Sequence, residues 1–263
     1  MENVKVLILR TAGTNCDYET RYAFDTVGAT TYLEHVNRLL KGEVRLSDFQ
    51  ILAIPGGFTY GDDIGAGRIL ANELKYKMTE EIEDFVGKGK LVIGICNGFQ
   101  VLVKAGLLPA FDGSRDQVVT LASNDSNKFE DRWIYLKTNR KSSCIYTKGL
   151  HEIIYLPVAH AEGKFVPRGS GTLRRLKQNK QVVFTYVNED GEPAGYPGNP
   201  NGSIGGIAGI CDPTGRIFGL MPHPERHSLP TQHPRWTREG LKEEGEGLAI
   251  FRNAVEFAYK HLT

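Results

Sequence analysis

An α/β fold, with a central and mostly parallel sheet flanked by helices, is what this sequence predicts. Three features carry that expectation. Short apolar runs alternate with amphipathic stretches through the first half, the runs stop at Gly, Pro or Asn turns, and a set of further strand-like runs fills the second half. Strands alternating with helices imply βαβ units and hence parallel pairing. A chain of 263 residues with 40 % hydrophobic residues can bury a core without disulfides or a structural metal. No composition shift marks a linker, so residues 1–263 read as one domain.

Val4–Leu9 is apolar apart from Lys5 and reads as a buried strand. Cys16–Val27 follows as a helix, with Tyr18, Tyr22, Ala23 and Val27 at helical spacing and Gly28 closing it. Thr30–Val36 and Phe49–Ile54 are the next strands, the latter stopped by Pro55-Gly56-Gly57. Ile69–Lys77 and Glu80–Val86 read as helices, the second opened by Thr79. Leu91–Ile95 is a fourth apolar run, and Phe99–Ala105 a helix closed by Gly106. In the second half Gln117–Ala122, Trp133–Lys137, Ile153–Val158, Gln181–Asn188, Ile204–Ile210 and Arg216–Met221 read as strands. Glu189–Ser203 is rich in Gly and Pro and reads as a long loop. Arg226–Gly247 is polar, with Lys242-Glu243-Glu244 a solvated surface. Leu248–His261 places Leu248, Ile250, Phe251, Ala254, Val255 and Ala258 on one helical stripe.

Charge and composition exclude several function classes. Lys plus Arg total 32 and Asp plus Glu 31, a balance unlike that of a nucleic-acid coat. No window approaches the roughly 18 continuous apolar residues of a membrane span. The start, MENVKVLILR, lacks the apolar length and cleavage site of a signal peptide. Cys16, Cys96, Cys144 and Cys211 form no CxxC pair, which fits reduced thiols and a cytoplasmic protein. Cys16, Cys144 and Cys211 read as structural or incidental.

Gly94-Ile95-Cys96-Asn97-Gly98-Phe99-Gln100 stands between a buried strand and a helix. A nucleophile there occupies a tight strand-to-helix turn, and Gly94 and Gly98 let backbone and substrate come close. The helix N-terminus favours the thiolate, the reactive form. Cys96 also fits a small buried residue at a strand end. Ile217–Met221 runs into Pro222-His223-Pro224-Glu225-Arg226, which sets His223 at a strand's C-terminal end, where open α/β sheets gather their functional groups. Glu225, two residues on, suits a carboxylate that orients the imidazole. Acyl transfer further needs two N–H donors for an oxyanion; Asn97, next to Cys96, and Gly57 in the Gly-Gly turn are the candidates. That turn lacks the spacing of a phosphate-binding loop. His223, His227 and His233 raise zinc binding, but Pro222 and Pro224 break the helix that an i, i+4 pair would need, so no metal is expected.

Together these residues resemble a class I (triad-type) glutamine amidotransferase, whose fold is flavodoxin-like. Gly13-Thr14-Asn15-Cys16-Asp17, Gly56-Gly57-Phe58-Thr59-Tyr60-Gly61-Asp62, the Cys96 motif, Ala159-His160-Ala161-Glu162-Gly163, Asn199-Pro200-Asn201-Gly202-Ser203 and Met221-Pro222-His223-Pro224-Glu225-Arg226 are similar, in order, to the motifs of the glutaminase of phosphoribosylformylglycinamidine (FGAM) synthase. The Cys and His-Pro-Glu motifs point only to the superfamily; the remaining set points to this purine-biosynthesis family. The resemblance implies that Cys96 attacks the glutamine carboxamide, His223 moves the protons and Glu225 orients His223. It implies oxyanion donors at Gly57 and Asn97, and bound glutamine near Phe58, Gln100, His160, Ala161 and Glu162. It further implies no cofactor in this chain, ATP and Mg used by a partner synthase subunit that receives the ammonia, and a small bridging subunit. Ala161 stands where many relatives carry Gly, and His227–Gly247 is longer than in compact separate subunits and similar to the region in large fused enzymes. Another elbow-cysteine acylase and a catalytically silent regulatory subunit are the alternatives. The presence of Cys96, His223 and Glu225 together counts against the silent one.

Overall fold

The computed structural model describes residues 3–263. The first half delivers the expected alternation: β1 (Lys5–Arg10), α1 (Asp17–Thr26), β2 (Thr30–His35), α2 (Val36–Leu40), β3 (Ile51–Ile54), α3 (Arg68–Lys77), α4 (Thr79–Gly87), β4 (Leu91–Ile95) and α5 (Asn97–Lys104). The second half adds β5 (Val119–Ala122), β6 (Glu130–Thr138), β7 (Ile153–His160), β8 (Lys164–Pro167), α6 (Ser170–Gln178), β9 (Val182–Val187), β10 (Ile207–Cys211), β11 (Ile217–Leu220), α7 (Trp236–Glu239) and α8 (Leu248–His261). Nine strands form one sheet in the order β2-β1-β3-β4-β11-β10-β9-β6-β7, and β5 pairs with β8 apart from it. The five strands from β2 to β11 pair in parallel; from β11 through β10, β9 and β6 to β7 every pairing is antiparallel.

The central parallel strands read as unbroken apolar runs because helices or loops cover both faces. Every residue of β3, β4 and β11 is buried. Edge strand β2 carries no fully buried residue, and its sequence, TTYLEH, is accordingly mixed. On α8 all six residues of the expected stripe are buried, and Phe251 meets Phe24 of α1 edge-on at 4.9 Å.

Three expectations change. On α1 the core face holds Asp17, Thr20, Ala23 and Phe24, whereas Tyr18 and Tyr22 are 63 % and 47 % exposed. The stripe is rotated because buried Asp17 answers Arg10 across the β1–α1 turn, Nε to Oδ2 at 2.5 Å. Residues 204–206 form a turn with Gly205 and Gly206 at φ +67° and +65°, so β10 begins only at Ile207. β8, α6 and the short helices α2 and α7 are elements that periodicity did not reveal, and Val36, read as the end of a strand, opens α2. In α6 only Leu176 is buried, too thin a signal for a helical stripe.

The polar stretch after His223 packs on the sheet's far end. His227 lies edge-on to Trp133 with ring centroids 5.0 Å apart, and its Nδ1 is 2.9 Å from the Tyr155 carbonyl oxygen. Arg235 donates from Nη2 to the Tyr135 hydroxyl at 2.7 Å. Lys242 and Glu243 are solvated, as expected, whereas Glu244 is half-buried and paired with Arg252 of α8. Among the described residues no helix is long and apolar enough to cross a membrane.

Candidate active site

The site lies beyond the C-terminal ends of the parallel strands. Leaving β4, the chain turns at Cys96 with φ +52° and ψ −105°, then enters α5 at once. A non-glycine residue costs roughly 1–3 kcal/mol in so sparsely populated a conformation, so its surroundings must enforce it. They do. A Cβ on Gly98 would stand 1.9 Å from the Ile54 carbonyl oxygen, and one on Gly94 2.6 Å from that of Gly98. The two glycines thus let α5 back directly onto β3 and β4. The Cys96 amide donates to the Leu220 carbonyl at 2.8 Å. Its thiol, 6 % exposed, donates to the Ala159 carbonyl at 3.6 Å.

His223 leaves β11 beside this elbow, its backbone N–H held by the Pro157 carbonyl at 2.8 Å. Pro224 and the short turn over 224–227 fold Glu225 back, so that its Oε1 lies 2.6 Å from His223 Nδ1. Both side chains are shut off from solvent. Burial alone would push the imidazole toward neutrality, but the Glu225 charge and the nearby Cys96 hold its titration well above the usual imidazole range. Among the described residues His223 Nε2 has no hydrogen-bond partner. The ring is therefore anchored on one nitrogen and available on the other.

The Gly56–Asp62 loop faces the elbow and is held from two sides. From the loop before α1, Asn15 and Cys16 donate backbone N–H groups to the Gly56 carbonyl at 3.4 and 3.2 Å, and Phe58 N–H reaches the Gly13 carbonyl at 2.9 Å. These bonds pair Thr14 with Gly57 and leave the Gly57 amide outside the pairing. Gly57 has φ +142°, and a Cβ there would meet the Gly13 carbonyl oxygen at 2.7 Å. From the other side the Asn97 carboxamide ties the loop down. Its Oδ1 accepts from the Thr59 hydroxyl at 2.7 Å, and its Nδ2 donates to Asp62 Oδ1 at 3.1 Å. The loop is thereby fixed with Gly57 on the wall of a cavity, while Asn97 lies buried beneath it.

That cavity is lined by Cys96, His223, Gly57, Phe58, Gln100, His160, Ala161 and Glu162, so every candidate catalytic and glutamine-side residue except buried Glu225 and backbone-contributing Asn97 borders it. Gln100 spends its amide on structure, accepting from Asn97 at 3.0 Å and donating to the Glu162 carbonyl at 2.5 Å. His160 is buried beside Asn124 (3.1 Å), and desolvation together with the His223 charge pushes its titration down to about 3. Phe58, 46 % exposed, stands at the mouth with Phe129, ring centroids 6.4 Å apart.

Cys16 is not incidental. Its sulfur lies 4.0 Å from His223 Nδ1 and accepts from Arg226 Nη2 at 3.1 Å. No sequence signal joins residues so far apart; convergence of the loops after β1, β3 and β11 does. Cys16, His223 and Glu225 are also the group of metal-type donors, all within 4.8 Å, found among the described residues. The Arg226 cation on the sulfur would repel a metal ion, and the short bond ties up His223 Nδ1 and Glu225 Oε1. His227 and His233 contribute to aromatic packing, their ring centroids 5.9 Å or closer to Trp133.

Residues 3–258 match the family described as the CobB/CobQ-like glutamine amidotransferase domain. A phosphoribosylformylglycinamidine synthase subunit PurQ from Dehalococcoides mccartyi is 54 % identical, with 98 % of this chain and 99 % of the relative covered. The protein of the same name from Archaeoglobus fulgidus is 44 % identical, with 98 % of each covered. Among solved structures, PurLQS from Thermotoga maritima superposes on 97 % of this chain and 99 % of its own, with a TM-score of 0.74 and 27 % identity.

Proposed function

Because the chain belongs to the glutamine amidotransferase family and, within it, to the PurQ subunits of phosphoribosylformylglycinamidine synthase, we propose that Cys96, His223 and Glu225 carry out its hydrolysis of L-glutamine. The observation that carries the assignment is the buried 2.6 Å bond from Glu225 to His223 beside a cysteine at a positive-φ elbow. Of the two cysteines near His223, Cys96 fits the nucleophile. It sits at the N-terminus of α5 and lines the cavity. Burial pushes the Cys16 thiol up, which keeps it protonated, and that thiol donates to Asn15 Oδ1 at 3.1 Å.

In this mechanism the Cys96 thiolate attacks the carboxamide carbon, and the Gly57 and Asn97 N–H groups receive the oxyanion. The tetrahedral adduct collapses with cleavage of the C–N bond, and the His223 Nε2 proton goes to the leaving nitrogen, which departs as ammonia. Water then attacks the thioester while His223 takes its proton, releasing glutamate and restoring the thiolate. Glu225 stays ionised and holds the imidazolium in place.

The Thermotoga neighbour comes from an assembly named PurLQS. We infer the same division of labour here: the ammonia passes to a synthase subunit that uses ATP and Mg to convert FGAR to FGAM, with a small third subunit bridging the two. Four free cysteines fit a reducing, cytoplasmic setting. Labelling with a glutamine-mimicking electrophile, followed by peptide mapping, tests the site. A single adduct on Cys96 is expected, strengthened by the synthase partner, ATP and FGAR. An adduct on Cys16, or none in the assembled complex, overturns it.

A further inference from the structure

We propose that Cys16 is a positioning residue for glutamine hydrolysis, its sulfur holding the Arg226 guanidinium off the His223–Glu225 pair so that Glu225 keeps its full charge on His223. The inference rests on the triad reading above and concerns the groups behind it. Glu225 Oε2 is buried and, among the described residues, has no hydrogen-bond partner. The nearest cation in sequence is the very next residue. A guanidinium–carboxylate pair is among the strongest of protein hydrogen-bonded contacts, and one formed here would divert Glu225 from the imidazole.

Arg226 is instead turned onto the Cys16 sulfur at 3.1 Å, and its Nε lies 3.4 Å from Glu19 Oε1. Sulfur is a weak acceptor, so it seats the guanidinium without placing a second negative charge beside His223. The Cys16 thiol proton points to Asn15, and the Cys16 backbone is pinned to Gly56. The spacer is thus fixed in space. A Cβ on Gly56 would stand 2.8 Å from His223 Cε1, 3.1 Å from the Cys16 sulfur and 3.5 Å from Cys96 Cβ, so the imidazole edge and both cysteines crowd the same glycine. The charged and titratable groups around His223 are Glu225 and Arg226 on its own turn, Cys16 before α1, Cys96 at the elbow and His160 from β7.

The test is the pH profile of glutamine kcat/KM with the synthase partner present. Cys16→Ala opens a path between Arg226 and Glu225, so kcat is expected to fall about ten-fold, a part of the roughly 10²–10⁴-fold that acid–base catalysis contributes. The alkaline limb, set by loss of the His223 proton, moves to lower pH. Removing the cation as well, in Cys16→Ala/Arg226→Gln, is expected to return that limb toward wild type, which a general loss of packing would not do. An unmoved limb in Cys16→Ala, or a limb equally displaced in the double variant, overturns the proposal. If Cys16→Ala does not fold, Cys16→Val, which offers Arg226 no acceptor, takes the same test and is expected to shift the limb in the same direction. Retention of hydrolysis by Cys96→Ala would instead overturn the triad reading, independently of Cys16.

Discussion

The α-carbon of Gly98 backs onto the Ile54 carbonyl so closely that an added methyl would come within 1.9 Å of that oxygen. The contact lets α5 start at the tip of β4 and holds Cys96 in its strained turn. Gly98→Ala is therefore expected to cost upward of about 3 kcal/mol, at or beyond the usual range for overpacking. Gly171→Ala, in α6 with open space around its added methyl, is expected to gain about 0.4–1 kcal/mol. Urea unfolding of the two variants checks both signs.

Replacing the proposed nucleophile separates the two half-reactions. Cys96→Ala is expected to lower glutamine-dependent FGAM synthesis by about four to six orders of magnitude. Synthesis driven by added ammonia is expected to survive in the same complex. Parallel assays with the two nitrogen sources decide it, and loss of both with assembly intact would contradict separated sites.

Glu225→Gln keeps the shape and removes the charge that raises His223. Its loss in kcat is expected to be about 10²-fold smaller than that of Cys96→Ala, as for other orienting acids. The alkaline limb of the pH profile should move down, because the imidazolium loses its counter-charge. Steady-state kinetics across pH measures both, and equal losses in the two variants would deny Glu225 an orienting role.

His160 gives a stability prediction with a definite sign. Unfolded, its ring titrates near 6.5; folded, burial and the His223 charge hold it down to about 3. Between those values the unfolded chain binds a proton that the folded chain refuses. The ring's contribution is therefore complete above about pH 6.5 and is lost as pH falls toward 3. The stability gap between wild type and His160→Gln should narrow as pH drops from 7 to 5, and a gap constant with pH would refute it.

Much of this was legible in the sequence because it is local. The elbow shows as glycines around a cysteine after an apolar run, and the α8 stripe as 3.6-residue spacing. The His223-Pro224-Glu225 step likewise puts acid and base two residues apart. What escaped depends on distance or on thin signals. Cys16 reaches His223 only because loops after three different strands converge. α6 carries its burial on Leu176, and β8 is four residues long and ends in proline. Tyr18 and Tyr22 misled because buried Asp17, paired with the partly exposed Arg10, sets the rotation of α1.

His223 comes from β11, inserted between β4 and β10, although it is the last strand in the chain. During synthesis, at roughly 5–20 residues per second, the ribosome therefore releases Cys96 well before His223 exists. A growing or prematurely terminated chain carries the thiol without the residue proposed to give the leaving nitrogen its proton. In the proposed mechanism, glutamine hydrolysis therefore waits for the closing strand.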